Sequence, residues 1–219
     1  MEIFLDSASI SELEHVHKWG IVDGVTTNQK IFLKEKGVDF KERVLEICRI
    51  LDSKPVSVES NGITVEEIVK DARTYSGLAK NVVPKVPMLG NGVGLEAVKI
   101  LSEENIPTNV TVMMNLNQLI LASKAGATYV SLFYNRARDA GGDPVKIIQE
   151  YVKWIKENKM KTKLIAGSIR KPEDVEAIAA AGAHVITIPY EIMLKMPFHE
   201  KTEDTIKEFD SAWKEFLDK

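Results

Sequence analysis

Apolar positions along the chain follow two alternating rhythms. Short apolar runs such as Ile3-Phe4-Leu5 give way to longer stretches in which apolar residues return every three or four positions. The runs predict eight strands, at residues 3–6, 22–28 with its exit loop, 55–59, 81–88, 108–112, 128–133, 163–168 and 184–189. Between them the longer rhythm predicts helices. Ser9 caps one that runs to about Trp19 and stops at Gly20. The next, from about Phe40 to Leu51, sets Val44, Ile47, Cys48 and Leu51 on one face. Thr64 caps a third with Val65, Ile68, Val69 and Ala72 apolar, and Leu95, Val98 and Leu101 mark a fourth. Later helices run from about Leu116 to Ala125, from Pro144, and from Pro172 to Gly182. A short helix and a last one, over about 202–217, close the chain.

Eight β-then-α units without a linker imply a parallel sheet covered by helices. The expected architecture is a (β/α)₈ TIM barrel with an additional C-terminal helix, one domain over residues 1–219. An open doubly wound sheet is the alternative, weakened because no G-x-G-x-x-G follows the first strand. Pro84 conflicts locally with a central strand, since it cannot donate to a ladder; a bulge there would resolve it, and the sequence does not show one.

The fourth strand, Asn81-Val82-Val83-Pro84-Lys85-Val86-Pro87-Met88, carries a lysine in apolar surroundings. Burial disfavours an ammonium, and a neutral amine attacks carbonyls, so Lys85 reads as a Schiff-base lysine. The plain alternative is a strand-end lysine that reaches out to water. Other strand ends are also polar: Asp6; Thr26, Thr27 and Asn28; Glu59; Asn109 and Thr111; Ser131; Ser168 and Arg170. In a barrel of this kind all of these fall at one end. Asp6 suits a base that takes a proton from a substrate hydroxyl while a carbon–carbon bond breaks, and Glu59 suits proton exchange during carbinolamine formation. Arg136 and Arg170, with the backbone of Gly167 and Ser168, suit an anion.

Charge and composition narrow the field. The formal net charge is −3 with no basic block, which argues against nucleic acid and anionic membranes as partners. Cys48 is the only cysteine and falls in a helical pattern, so it reads as a buried structural thiol and no disulfide forms within the chain. His15, His17, His184 and His199 do not cluster, and no metal site is expected. Neither a signal peptide nor an apolar run of membrane-spanning length is found, and a cytoplasmic location is expected. Ile206, Phe209, Trp213 and Phe216 form a stripe on the last helix, read as a packing face for a neighbouring subunit.

Seven short stretches resemble the transaldolase family, in its short-chain branch near the fructose-6-phosphate aldolases. They are Ile3–Asp6, Trp19–Asn28, Pro55–Glu59, Lys85–Met88, Thr108–Thr111, Ala125–Ser131 and Ser168–Arg170. The resemblance implies a cofactor-free barrel enzyme that moves a dihydroxyacetone unit between sugar phosphates. It assigns the Schiff base to Lys85, acid–base work at the C4 hydroxyl to Asp6, and the catalytic water to Glu59 and Thr111. It places Asn28, Asn109 and Ser131 on the dihydroxyacetone part, and Arg136, Ser168 and Arg170 on phosphate; Thr27 and Phe133 fall within the same site. It also implies a ring-forming homo-oligomer, a pentamer or paired pentamers. Glu59 and Phe133 match transaldolases, whereas aldolase relatives tend to carry Gln and Tyr there. The chain departs from the family at Gln29 (usually Pro), at Pro84, in the longer loop 89–94, and in Leu132, Tyr134 and Asn135. These departures bear on the substrate. Transaldolase leads, a dihydroxyacetone aldolase or one acting on a sulfonated ketose is the alternative, and a non-catalytic sugar-phosphate-binding barrel is the third reading.

Overall fold

The computed structural model describes residues 1–218; Lys219 lies outside them. In chain order the elements begin β1 (Glu2–Asp6), α1 (Ile10–His17), β2 (Gly24–Thr26), α2 (Gln29–Phe32) and α3 (Phe40–Leu51). Next come β3 (Val56–Glu59), α4 (Val65–Ser76), β4 (Val82–Pro87), α5 (Val93–Glu103), β5 (Asn109–Met113) and α6 (Leu116–Ala125). The second half continues with β6 (Tyr129–Phe133), α7 (Tyr134–Asp139), α8 (Pro144–Glu157), β7 (Lys163–Gly167) and α9 (Pro172–Ala181). The chain ends with β8 (Val185–Ile188), α10 (Tyr190–Met193) and α11 (Glu200–Leu217).

The eight strands pair in sequence order, all parallel, and β8 closes on β1. This is the TIM barrel the alternation predicts. Two short helices were not anticipated. α2 follows β2, and α7 follows β6 directly. α7 forms because Tyr134 and Ala137, one turn apart, are both buried, while Gly141, at φ +82°, ends the turn that follows it.

The ladder runs through Pro84 without a break, pairing Val58 with Pro84 and Glu59 with Lys85, so the conflict is resolved without a bulge. The reason is geometric. Met88 N–H bonds the Thr111 carbonyl at 2.9 Å. Donors facing β5 therefore step back through Val86 to Pro84, whose acceptor would lie at Pro107, before β5 begins. The missing N–H costs no ladder bond. The irregularity falls instead on β5, where the register with β6 shifts between Val110 and Met113.

Period-two alternation builds the barrel interior in layers. Phe4, Val83, Tyr129, Ile165 and Val185 form a separate buried cluster inside it, with Phe4 and Tyr129 edge to face at 6.2 Å. Gly24 is required here, because a Cβ would lie 2.7 Å from the Phe4 ring. Two residues further along the same strands, the same inward face becomes Asp6, Lys85, Ser131, Gly167 and Thr187. All the helices except α11 pack apolar residues against the outside of the strands. Cys48 sits in that outer layer, where burial pushes its thiol up to about 11.

Candidate active site

A cavity of about 120 Å³ opens at the C-terminal end of the barrel, lined by Asp6, Thr26, Asn28, Lys85, Thr111, Ser131, Phe133, Arg136, Gly167, Ser168 and Thr187. Its floor is the apolar layer one step below.

Lys85 is 5 % exposed. Its Nζ donates to the Thr27 carbonyl at 2.8 Å and stands 3.2 Å from Glu59 Oε2. A buried ammonium is tolerable only with such partners. Glu59 belongs to the neighbouring strand and is directly opposite Lys85 in the ladder, so the pairing register itself makes the contact. Glu59 also lines two neighbouring clefts that meet the cavity at Asn28.

Asp6 comes from β1. Burial raises its pKa above the usual carboxylate value. Lys85 and the 2.7 Å hydrogen bond from Thr26 Oγ1 pull the other way, and Glu59 and Glu191 add to the rise. Thr26 also shares a short hydrogen bond with Thr187.

The remaining predicted residues divide. Thr111 lines the cavity, and among the described residues its buried hydroxyl has no hydrogen-bond partner. The next residue, Val112, has φ +65°, unusual for a β-branched side chain, at the β5 irregularity. Asn109 is fully buried, accepts from Ser131 Oγ at 2.7 Å and donates to Ser57 Oγ at 3.2 Å. Thr27 turns its hydroxyl to the Ser57 carbonyl at 2.8 Å and offers Lys85 its own carbonyl. Asn28 caps α2, accepting from Ile31 N–H at 3.1 Å, and still lines the cavity. Gln29 donates to Asn61 Oδ1 at 2.8 Å and reaches the Ser60 carbonyl at 3.4 Å. That carbonyl is the acceptor Pro87 would have met had it an N–H.

On the far wall, Arg136 lies over the Phe133 ring at 5.1 Å. Ser168, with φ +63°, exposes its end of β7 to the cavity. Arg170 sits outside this wall, paired with Asp139. Thr187 is a cavity residue that the sequence reading does not contain, and Thr26 one that it places at a strand end without a role. Threonine is an ordinary strand residue, and only the register, Asp6 with Thr26 and Phe4 with Thr187, puts them beside Asp6. Among the described residues no group of three or more His, Cys, Asp or Glu is placed to hold a metal ion.

The family model for transaldolase/fructose-6-phosphate aldolase matches residues 3–219. The chain is 42 % identical to a protein named probable transaldolase from Clostridium kluyveri, over all of both chains. It is 42 % identical to one of that name from Caldicellulosiruptor saccharolyticus, over 97 % of each. A solved structure described as a lactate oxidase of Pediococcus acidilactici superposes with a TM-score of 0.56 at 12 % identity, over 86 % of this chain and 62 % of that one. That likeness concerns the barrel alone. With a closed eight-stranded barrel, a buried lysine on its fourth strand and a family match over nearly its whole length, the chain belongs to the transaldolase/fructose-6-phosphate aldolase family.

Proposed function

We propose that this chain is a Schiff-base transaldolase. It moves a dihydroxyacetone unit from a ketose phosphate, fructose 6-phosphate or sedoheptulose 7-phosphate, to an aldose phosphate. The observation that carries the reading is Lys85: buried, 3.2 Å from the Glu59 carboxylate, and lining one cavity with Asp6. The Lys85 amine, once it has given its proton to Glu59, adds to the ketose carbonyl. The carbinolamine loses water, with Glu59 and a water held at the free Thr111 hydroxyl exchanging the protons. The resulting iminium draws electrons from the adjacent carbon–carbon bond as ionised Asp6 takes the C4 hydroxyl proton. An aldose leaves, and the three-carbon enamine remains on Lys85. The enamine adds to the aldehyde of the acceptor, Asp6 returns the proton, and hydrolysis frees the lysine. The electron sink is the protein's own iminium, so this chemistry calls for no cofactor. Asn28, Asn109 and Ser131 hold the dihydroxyacetone hydroxyls, and Arg136, Ser168 and Arg170 the phosphate.

The setting proposed is cytoplasmic carbohydrate metabolism of the pentose phosphate type, with the chain assembled into a ring through α11. Among the described residues no helix is long and apolar enough to cross a membrane.

Borohydride with fructose 6-phosphate tests the mechanism. Irreversible inactivation with one adduct, on Lys85, is expected, and Lys85→Ala should lose adduct and activity together. An adduct mapped elsewhere, or an active Lys85→Ala, would sink it. A dihydroxyacetone aldolase is the second reading, favoured by Asn135-Arg136, which resembles the aldolase relatives. If free dihydroxyacetone is released without an acceptor as fast as transfer occurs with one, the second reading holds.

A further inference from the structure

The turn between β7 and α9 carries Ser168 and Arg170, and its backbone is pinned from below. The buried Asp174 carboxylate accepts from the N–H of Arg170 at 3.0 Å, from that of Lys171 at 3.3 Å, and from Asn135 Nδ2 at 2.7 Å. Asn135 Nδ2 also donates to the Ser168 carbonyl at 2.7 Å. The turn is therefore tied to α7, while the Arg170 side chain is half exposed. Its guanidinium meets Asp139, the last residue of α7, in a two-bond fork: Nη1 to Oδ1 at 3.1 Å, and Nη2 to Oδ2 closer still. Arginine takes a phosphate in the same fork geometry. Arg136 and Ser168 line the cavity, and Arg170 faces Asp139 instead.

Resting on the reading of Arg136, Ser168 and Arg170 as the anion site, we propose that Asp139 is an internal competing anion. It occupies the Arg170 fork in the unliganded protein, and a phosphate ester must displace it to bind. Asp139 thereby sets how strongly a substrate's anionic group must interact to be accepted. A phosphate, with a charge near −2 and three acceptor oxygens, outcompetes one carboxylate; a weaker anion does so less well. The pair is solvent-exposed, so its hold is modest and displacement is feasible.

The test is a double-mutant cycle on the full-length protein, read by calorimetric titration with inorganic phosphate and by the KM for fructose 6-phosphate. Asp139→Asn should tighten phosphate roughly three- to tenfold and lower KM by a similar factor, while Asp139→Glu restores the wild-type values. Arg170→Gln should weaken phosphate, and in that background Asp139→Asn should change nothing beyond about 1.5-fold. A gain that persists without Arg170 would mean general electrostatics, and unchanged or weaker binding in Asp139→Asn would mean that Asp139 merely supports Arg170; either overturns the proposal. Phosphate binding that Arg170→Gln leaves intact would instead remove Arg170 from the anion site, a separate failure of the underlying reading.

Discussion

Lys85 Nζ and Glu59 Oε2 lie 3.2 Å apart because β3 and β4 pair Glu59 directly with Lys85. The contact is a product of register rather than of a flexible loop. One strand supplies the amine, its neighbour supplies the carboxylate, and both are largely shielded, with side-chain exposures of 6 % and 14 %. Glu59→Ala should therefore lower kcat by roughly 100-fold, the size of a lost proton-transfer group. It should also lower Tm, since removing one partner of a buried pair costs roughly 3–5 kcal/mol. The Lys85 adduct should still form, only more slowly. A kcat within about threefold of wild type would release Glu59 from any proton-handling role.

Asp6 links activity and stability in opposite directions. Its folded-state pKa is raised, chiefly by burial, so the folded protein binds that proton more tightly than the unfolded chain does. Stability from this group is fully present below the ordinary carboxylate pKa, about 3.9, and is lost as pH rises through the raised value. Ionising Asp6 in the folded protein is thus a cost. Asp6→Asn should raise Tm at pH 7, with the gain fading as pH falls toward the ordinary carboxylate range, and should abolish turnover. In the wild type the acid limb of kcat/KM should lie above that range. Thr26→Val removes a hydrogen bond that lowers the Asp6 pKa, so the limb should move further up. Pairs of melting curves and pH–rate profiles decide this; a downward move in Thr26→Val would contradict it.

Much of this arrangement was legible in the sequence, and the exceptions share a cause. Strand and helix periods are local, so the eight units and the strand-end position of Lys85 could be read directly. α2 and α7 are too short to show a period, and the burial of Tyr134 and Ala137 that stabilises α7 comes from the barrel wall. Pro84 looked like a conflict because where β5 begins relative to β4 cannot be read locally. Thr187 went unselected and Thr26 was given no role because their significance lies in register with β1. Thr27 was selected with its neighbour, but the strand alternation sends its hydroxyl to Ser57 and leaves Thr26 facing the cavity. The Asp139–Arg170 fork joins the end of α7 to the turn before α9, residues far apart in sequence, and charge alone does not say which acid an arginine meets.

Asn109 gives a test of how the polar layer is held. With no exposed surface, it bridges Ser57 and Ser131 through both ends of its amide. Asn109→Ala strands two buried hydroxyls as well as opening a small void. A loss of roughly 2–3 kcal/mol is expected in urea unfolding, about 1–3 kcal/mol being the usual cost of one unsatisfied buried polar group. Ser131→Ala should cost less, because Asn109 keeps its bond to Ser57. If Ser131→Ala proves the more damaging of the two, the bridge is not what organises this layer.

α11 makes the prediction about assembly. Among the described residues it buries no side chain, yet Phe209, Trp213 and Phe216 are 71 %, 59 % and 65 % exposed on it. Trp213 and Phe216 stack at 5.4 Å, which concentrates the apolar area in one patch. An isolated helix of this length is marginal in water, so its order needs a partner surface. Burial of each aromatic would contribute roughly 1.5–3 kcal/mol. A closed ring of identical subunits offers such a surface to every copy without leaving one uncovered. Light scattering of the wild type should give five or ten chains. The double substitution Phe209→Glu and Trp213→Glu should give monomers whose far-ultraviolet dichroism keeps the barrel signal. A monomeric wild type at working concentration, or a double variant that stays assembled, would mean that this stripe does not hold the chains together.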